Sequence, residues 1–189
     1  MNKAARRRTL TVLLSLLLLS SLHATALAQK REHLTPEEID LIREAQALDL
    51  RTAVFVKAAE RRMLALTDPA AAAKQAVKDA EKWGEVKGTR TQLLSDVVRI
   101  LDEAVVNIDD TAARDARSSL LHKSLRKLAE ASGRFVSQLT PMRDASQSIP
   151  EREALESAIE KAQEILEAAK AHETDAPPEK PEKKKGKEN

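Results

Sequence analysis

Residues 91–108 read TQLLSDVVRILDEAVVNI, and this stretch decides the fold. Its apolar residues recur at alternating spacings of three and four, at Leu94, Val97, Leu101, Ala104 and Ile108. Such spacing places them on one face of an α-helix, and a repeat of roughly 3.5 residues packs that face against other helices at shallow angles. We therefore predict one helix of a bundle here, starting near Thr91.

Two later segments carry the same heptad-like repeat. The first is marked by Leu121, Leu125, Leu128, Ser132, Phe135, Leu139 and Met142. The second is entered through Ser148 and Pro150 and is marked by Leu155, Ala158, Ala162, Ile165 and Ala169. Pro141 either kinks the earlier helix or, with Thr140 as N-cap, restarts a helix at Met142.

The start of the bundle is signalled by Thr35, Pro36 and Glu38, which together form an N-cap, a first-position proline and a capping-box acid. We predict one long helix from Pro36 to Leu66. A short helix follows, opened by Asp68 and ended by Gly84. The predicted fold is all-α: a four-helix-bundle-like domain with a short extra helix after helix 1.

The N-terminus has the pattern of a signal peptide. Four basic residues precede an apolar run from Leu10 to Leu22, and Ala26-Leu27-Ala28 forms a cleavage site. We predict removal of residues 1–28, a helical domain over 29–172 and a charged disordered tail over 173–189. The chain is therefore expected to be exported, periplasmic or extracellular, with no stable membrane insertion after cleavage.

Composition excludes several classes of protein. The chain has no Cys, so it has neither a disulfide framework nor a thiolate nucleophile. Loss of the signal takes the formal charge from +2 to −2, which removes the case for a nucleic-acid partner. The lysine run at 183–185 is nearly balanced by acids in the tail and is interpreted as solubilising.

Each residue that could belong to a functional site is better explained by a structural role. The mature histidines, His33, His122 and His172, show no i, i+3 or i, i+4 pair, so no metal site is predicted. The cluster at 107–110 lacks the Gly and terminal Glu of a calcium loop and is interpreted as a solvated turn or helix end. Trp83 is expected to anchor the short helix to the bundle.

Thr52 and Ser132 are small polar residues inside apolar stripes and are interpreted as close-packing positions. No Ser, His and acid spacing indicates a nucleophile. We therefore predict no catalytic residues, no cofactor and no enzymatic activity.

Three segments resemble a group of uncharacterised bacterial exported helical proteins: residues 34–46 (LTPEEIDLIREAQ), Lys82-Trp83-Gly84 and residues 107–110 (NIDD). The resemblance implies an exported helical fold and no particular activity. A second likeness is to periplasmic helical chaperones marked by Leu-Thr-x-x-Gln, although residues 34–38 and 139–143 both lack the final Gln. We expect a protein-binding role for the chain, with a periplasmic holdase-like chaperone as the alternative.

Overall fold

The computed structural model describes residues 31–175, and within them it contains six α-helices and no strand. The helices are α1 (Pro36–Glu44), α2 (Leu48–Thr67), α3 (Pro69–Trp83), α4 (Arg90–Arg114), α5 (Ser119–Ala145) and α6 (Ile149–Asp175). This confirms the predicted all-α, bundle-like fold with a short extra helix between the first and second bundle helices.

Helices α2, α4, α5 and α6 form the bundle. Going round it, α2 packs on α4, α4 on α6, α6 on α5, and α5 on α2. Helices α4 and α5 are consecutive in the chain but lie on a diagonal, so the short link at 115–118 crosses the end of the bundle.

The directions of the helices follow from contacts between their ends. Asp49 near the start of α2 pairs with Lys123 near the start of α5, so these neighbours run parallel. Arg90 at the start of α4 pairs with Glu151 at the start of α6, so these also run parallel. Arg51, in contrast, bonds Asn107 near the end of α4, so α2 and α4 are antiparallel. Parallel neighbours therefore alternate with antiparallel ones.

The core lies between the four bundle helices. All five apolar residues that define the stripe of α4 are buried, as predicted. Phe55 of α2 and Phe135 of α5 are the two aromatic residues of this core, each 2% exposed. Leu125 and Met142, predicted on the α5 stripe, are only half-buried. Burial of apolar surface is the main source of stability in a chain that has no disulfide.

The single long helix predicted from Pro36 to Leu66 is wrong. Helix α1 ends at Glu44 and α2 starts at Leu48, with non-helical backbone at Ala45 and Ala47. In a continuous helix, Glu38 would lie about 35 Å from Arg61. The break allows α1 to fold back on α2, where these two side chains form a buried ion pair. Because neither Gly nor Pro marks the break, the sequence pattern did not reveal it.

At Pro141, where the sequence left a kink or a restart at Met142 open, α5 continues through the proline to Ala145, so no new helix starts at Met142. Pro141 lacks only the N–H that would bond the carbonyl of Ser137, and a single further turn follows it. Ser148 directly precedes α6, as predicted. The Ser148 hydroxyl accepts a hydrogen bond from the Glu151 N–H.

The predicted domain ends at residue 172, but α6 runs to Asp175. Residues 173–175, predicted as part of the tail over 173–189, are therefore helical. The signal peptide predicted over 1–28 and the rest of the predicted tail, 176–189, lie outside the described residues. Among the helices that the structure does describe, none has the length and apolarity needed to cross a bilayer.

Candidate functional site

A buried polar cluster fastens α1 to α2 and to the end of α3. At its centre is Glu38, whose side chain is fully buried. One carboxylate oxygen accepts from the Thr35 N–H at 3.0 Å, completing the capping box of α1. The other accepts from Arg61 and from Arg62, both at 2.5 Å. The residue that caps α1 is therefore also the anion that holds α1 on the bundle.

The two guanidinium groups have further acceptors, which lie on three segments of the chain. Arg61 donates to the carbonyls of Trp83 and Gly84, at 2.8 and 2.5 Å. Arg62 donates to the carbonyls of Ala58 and His33. One carboxylate and four carbonyl oxygens thus face two cations, which offsets the cost of removing these charges from water.

Trp83 completes the contact between α2 and α3. The Arg61 guanidinium carbon lies 5.8 Å from the centre of the Trp83 ring, within reach of a cation–π interaction. The Trp83 carbonyl also accepts from the hydroxyl of Thr35 at 2.7 Å. Trp83 therefore attaches the end of α3 to both α1 and α2, in agreement with the packing role expected for it.

Gly84 allows the backbone to leave α3 beside this cluster. Its φ is +66° and its ψ is −175°, a conformation that is essentially restricted to glycine. A Cβ atom here would lie 2.1 Å from a carboxylate oxygen of Glu37 and 2.9 Å from the Thr35 hydroxyl. The first two quoted segments of the resemblance, LTPEE and KWG, thus meet in space at this point.

The third quoted segment, residues 107–110, also contacts α2. The Asn107 side chain accepts from Arg51 at 3.1 Å and donates to the Glu103 carbonyl. Asp109 and Asp110 are exposed on the last turns of α4, so they lie on a solvated helix end rather than in a turn. Among the described residues, no group of three or more potential ligands is placed to hold a metal ion.

An open cleft of about 260 Å³ lies between α2 and α3. Its walls are mainly apolar: Leu64 and Ala65 from α2, three alanines and Pro69 from α3, and Val86 from the loop that follows. Its polar lining consists of Arg61, Gln75 and Glu85. Since Arg61 already donates to Glu38 and to two carbonyls and most of the other lining residues are apolar, the cleft offers a partner mainly apolar surface.

Helix α3 is the least buried of the helices around this cleft. None of its side chains is fully buried, although it is amphipathic. Its outward side has an apolar strip formed by Ala70, Ala73, Val77 and Ala80, all exposed, with Val77 at 82% exposure. This "α3 strip" follows 3-4-3 spacing and meets the cleft at Ala73, which also lines the cleft.

A row of lysines flanks the α3 strip. Lys74, Lys78 and Lys82 lie at i, i+4 and i+8, so they share one side of the helix, and all three are exposed. Within the described part of the chain none of them forms an ion pair. The uncovered half of α3 thus combines an apolar strip with three lysines and one exposed acid, Glu81, on the same side.

The remaining candidates lie apart from this surface. Thr52 is buried and donates to the Leu48 carbonyl at 2.9 Å. Ser132 is fully buried in α5, and its hydroxyl has no hydrogen-bond partner among the residues described. The lysine run at 183–185 is outside the described residues. Among the described residues, neither the Thr52 nor the Ser132 hydroxyl forms a hydrogen bond with a histidine or an acid, as a nucleophilic site would require.

Two features of the described structure were not predicted from the sequence, one at α1 and α2 and one between α5 and α6. Sequence reasoning did not pair Glu38 with the arginines, because it placed them on one continuous helix. It also did not detect that His122 and His172 approach one another, because they belong to different helices.

No protein-family model, curated protein or solved structure gives a significant match to this chain.

Proposed function

We propose that the chain is an exported, non-enzymatic protein that binds another envelope protein through α3 and the adjoining cleft. The observation that carries this proposal is the uncovered half of α3, where an apolar strip borders an open apolar cleft. Exposed apolar surface that continues into a cleft is typical of a binding surface. The signal-peptide pattern supports export, and the absence of a catalytic spacing in the sequence supports a binding role.

The charge beside the strip defines the chemistry of the partner. Three lysines flank the apolar residues, so the complementary surface is an amphipathic helix with an apolar face and acidic residues along one edge. Small side chains on α3 allow the backbones of two helices to approach closely, and the cleft accepts the larger apolar side chains of the partner. We infer that the partner's acids contribute mainly to association rate and orientation.

The first experiment is site-specific photo-cross-linking in the native host. A photoreactive residue replaces Val77 on α3 and, as a control, Ser157, which is exposed on α6. We expect one or two reproducible envelope proteins to cross-link at position 77 and not at 157. The cross-linked peptide is expected to contain acidic residues.

Binding of that protein to the purified mature chain then tests the surface directly. Lys74→Glu/Lys78→Glu is expected to weaken binding at least tenfold at low salt, because it reverses the charge beside the strip. Lys170→Glu, on the exposed side of α6, is the matched control and should leave affinity unchanged. Equal affinity for all three proteins overturns the proposed surface.

The alternative, a holdase-like chaperone, makes a different prediction in the same experiments. It requires cross-links at position 77 to many unrelated unfolded proteins, together with suppression of client aggregation at equimolar ratio. That result would overturn a role with one specific partner.

A further inference from the structure

The start of α5 and the end of α6 bring together two of the three mature histidines. His122 and His172 have ring centres 4.8 Å apart, with the ring planes inclined at 44°. They are 50 residues apart in the sequence, and the antiparallel packing of α5 on α6 makes them neighbours. The third mature histidine, His33, lies elsewhere, 2.8 Å from Glu103 of α4.

One of these rings has a buried nitrogen that lacks a partner. Nε2 of His122 is inaccessible to solvent, and it has no hydrogen-bond partner among the described residues. Contact between two aromatic rings accounts for their separation. It does not account for the nitrogen, since buried polar atoms in native proteins are nearly always satisfied. Nε2 of His122 is therefore not engaged by any described residue, which leaves this nitrogen available to a metal ion.

The separation of the rings fits two imidazoles that share one metal ion. Nitrogens that bind an ion at about 2 Å, at a ligand angle near 90–110°, hold the two ring centres about 4.5–5.5 Å apart. The observed 4.8 Å falls inside this range. His172 is partly exposed, so an ion can reach the pair from solvent.

We propose that His122 and His172 form a site for a divalent first-row transition-metal ion, which joins the start of α5 to the end of α6. Neutral imidazole is a good ligand for Cu²⁺, Ni²⁺ and Zn²⁺, whereas Ca²⁺ and Mg²⁺ require oxygen ligands. Affinity follows the order Ni²⁺ < Cu²⁺ > Zn²⁺ expected for nitrogen ligands.

Thermal unfolding tests the site because an ion that binds the folded chain raises its Tm. The mature chain is prepared without a histidine tag and unfolded with and without Ni²⁺. At about a hundred times the dissociation constant, we expect Tm to rise by about 5–10 °C. The rise should disappear in His122→Gln and in His172→Gln, and it should persist in His33→Gln.

A second measurement uses the unaltered chain and therefore does not depend on whether a variant folds. Cu²⁺ is paramagnetic, so substoichiometric amounts should broaden the NMR signals of the His122 and His172 rings first. Calorimetry should give one ion per chain. Broadening centred on His33, no heat of binding, or a Tm shift retained in both substituted chains overturns the proposal.

Discussion

Glu38 and Arg61 form an ion pair at 2.5 Å in which neither side chain is more than 6% exposed, although 23 positions separate them in the sequence. Glu38 is also the N3 residue of the α1 capping box. In an isolated helix, Glu38 would accept hydrogen bonds only from nearby backbone donors. Here it also forms a long-range contact. This contact fixes the direction in which α1 folds back, because a carboxylate buried without its cations would be strongly unfavourable.

Glu38→Gln is therefore expected to be severely destabilising. The substitution leaves Arg61 and Arg62 buried without their anion, and breaking a buried pair in this way costs about 3–5 kcal/mol in the free energy of unfolding. Urea unfolding followed by circular dichroism measures the loss.

Asp40→Asn is the matched control on the same helix. Asp40 pairs with Arg43 at 3.1 Å, but both side chains are mostly exposed. Exposed pairs contribute less than about 1 kcal/mol, so this variant should unfold close to the wild type. Similar stability losses for the two variants would contradict a special role for the buried pair.

Gly84→Ala is expected to destabilise the chain by about 1–3 kcal/mol, because a Cβ at this φ and ψ is strained. The Glu37 side chain can move away from the new atom, but the Thr35 hydroxyl is held by two hydrogen bonds. Thermal unfolding provides the measurement.

Gly133→Ala is the control for that substitution and should stabilise the chain instead. Gly133 is in the interior of α5, and a Cβ there would meet a methyl group of Leu166 at 3.8 Å, an ordinary contact. Alanine in a helix is favoured over glycine by about 0.5–1 kcal/mol. A stabilising Gly84→Ala would show that the loop relaxes in a way the structure does not indicate.

The extent to which the sequence predicted this structure depends on the range of each interaction. Heptad spacing, Asp68 with Pro69, and Gly84 are local signals, and they located the bundle helices and the limits of α3 closely. The break at residues 45–47 is not marked locally, since Ala45 and Ala47 are compatible with a helix. It is stabilised by the contact of Glu38 with Arg61, which only the folded chain contains.

The candidate sites also depend on contacts between distant residues, which the sequence pattern does not reveal. Spacing rules examine one helix at a time, so they correctly found no histidine pair within a helix and were blind to His122 beside His172. The uncovered half of α3 was equally hidden. Its alanines predict an amphipathic helix, but only the packing shows which side of that helix faces α2 and which side faces solvent.

Ser132→Ala is expected to raise the free energy of unfolding by about 1 kcal/mol. The Ser132 hydroxyl is fully buried without a partner among the described residues, and an unsatisfied buried hydroxyl is unfavourable. Leu128→Ala, four residues earlier in the same helix, should instead lower the free energy of unfolding by about 2–5 kcal/mol, because it creates a cavity. Chemical denaturation of both variants separates the effects. A large loss of stability in Ser132→Ala would mean that the hydroxyl has an essential partner.

The pH dependence of stability should include a contribution from Asp49. The hydrogen bond from Lys123, at 2.5 Å, lowers the pKa of the Asp49 carboxyl below its usual value, against the opposing effect of desolvation. Because the folded pKa is the lower one, the contribution is fully present above the unfolded pKa of about 3.9. It is lost as the pH falls through the folded value.

Lys123→Met removes the hydrogen bond and should raise the pKa of Asp49, as measured by NMR titration of its side-chain carbonyl carbon. The stability difference between this variant and the wild type should therefore be largest above about pH 4 and should shrink in more acidic solution. Lys87→Met removes an exposed lysine that pairs with Glu85 near the start of α4, at the other end of the bundle, and should leave the Asp49 titration unchanged. An Asp49 pKa that is equal in Lys123→Met and in the wild type would show that the pair between α2 and α5 does not form in solution.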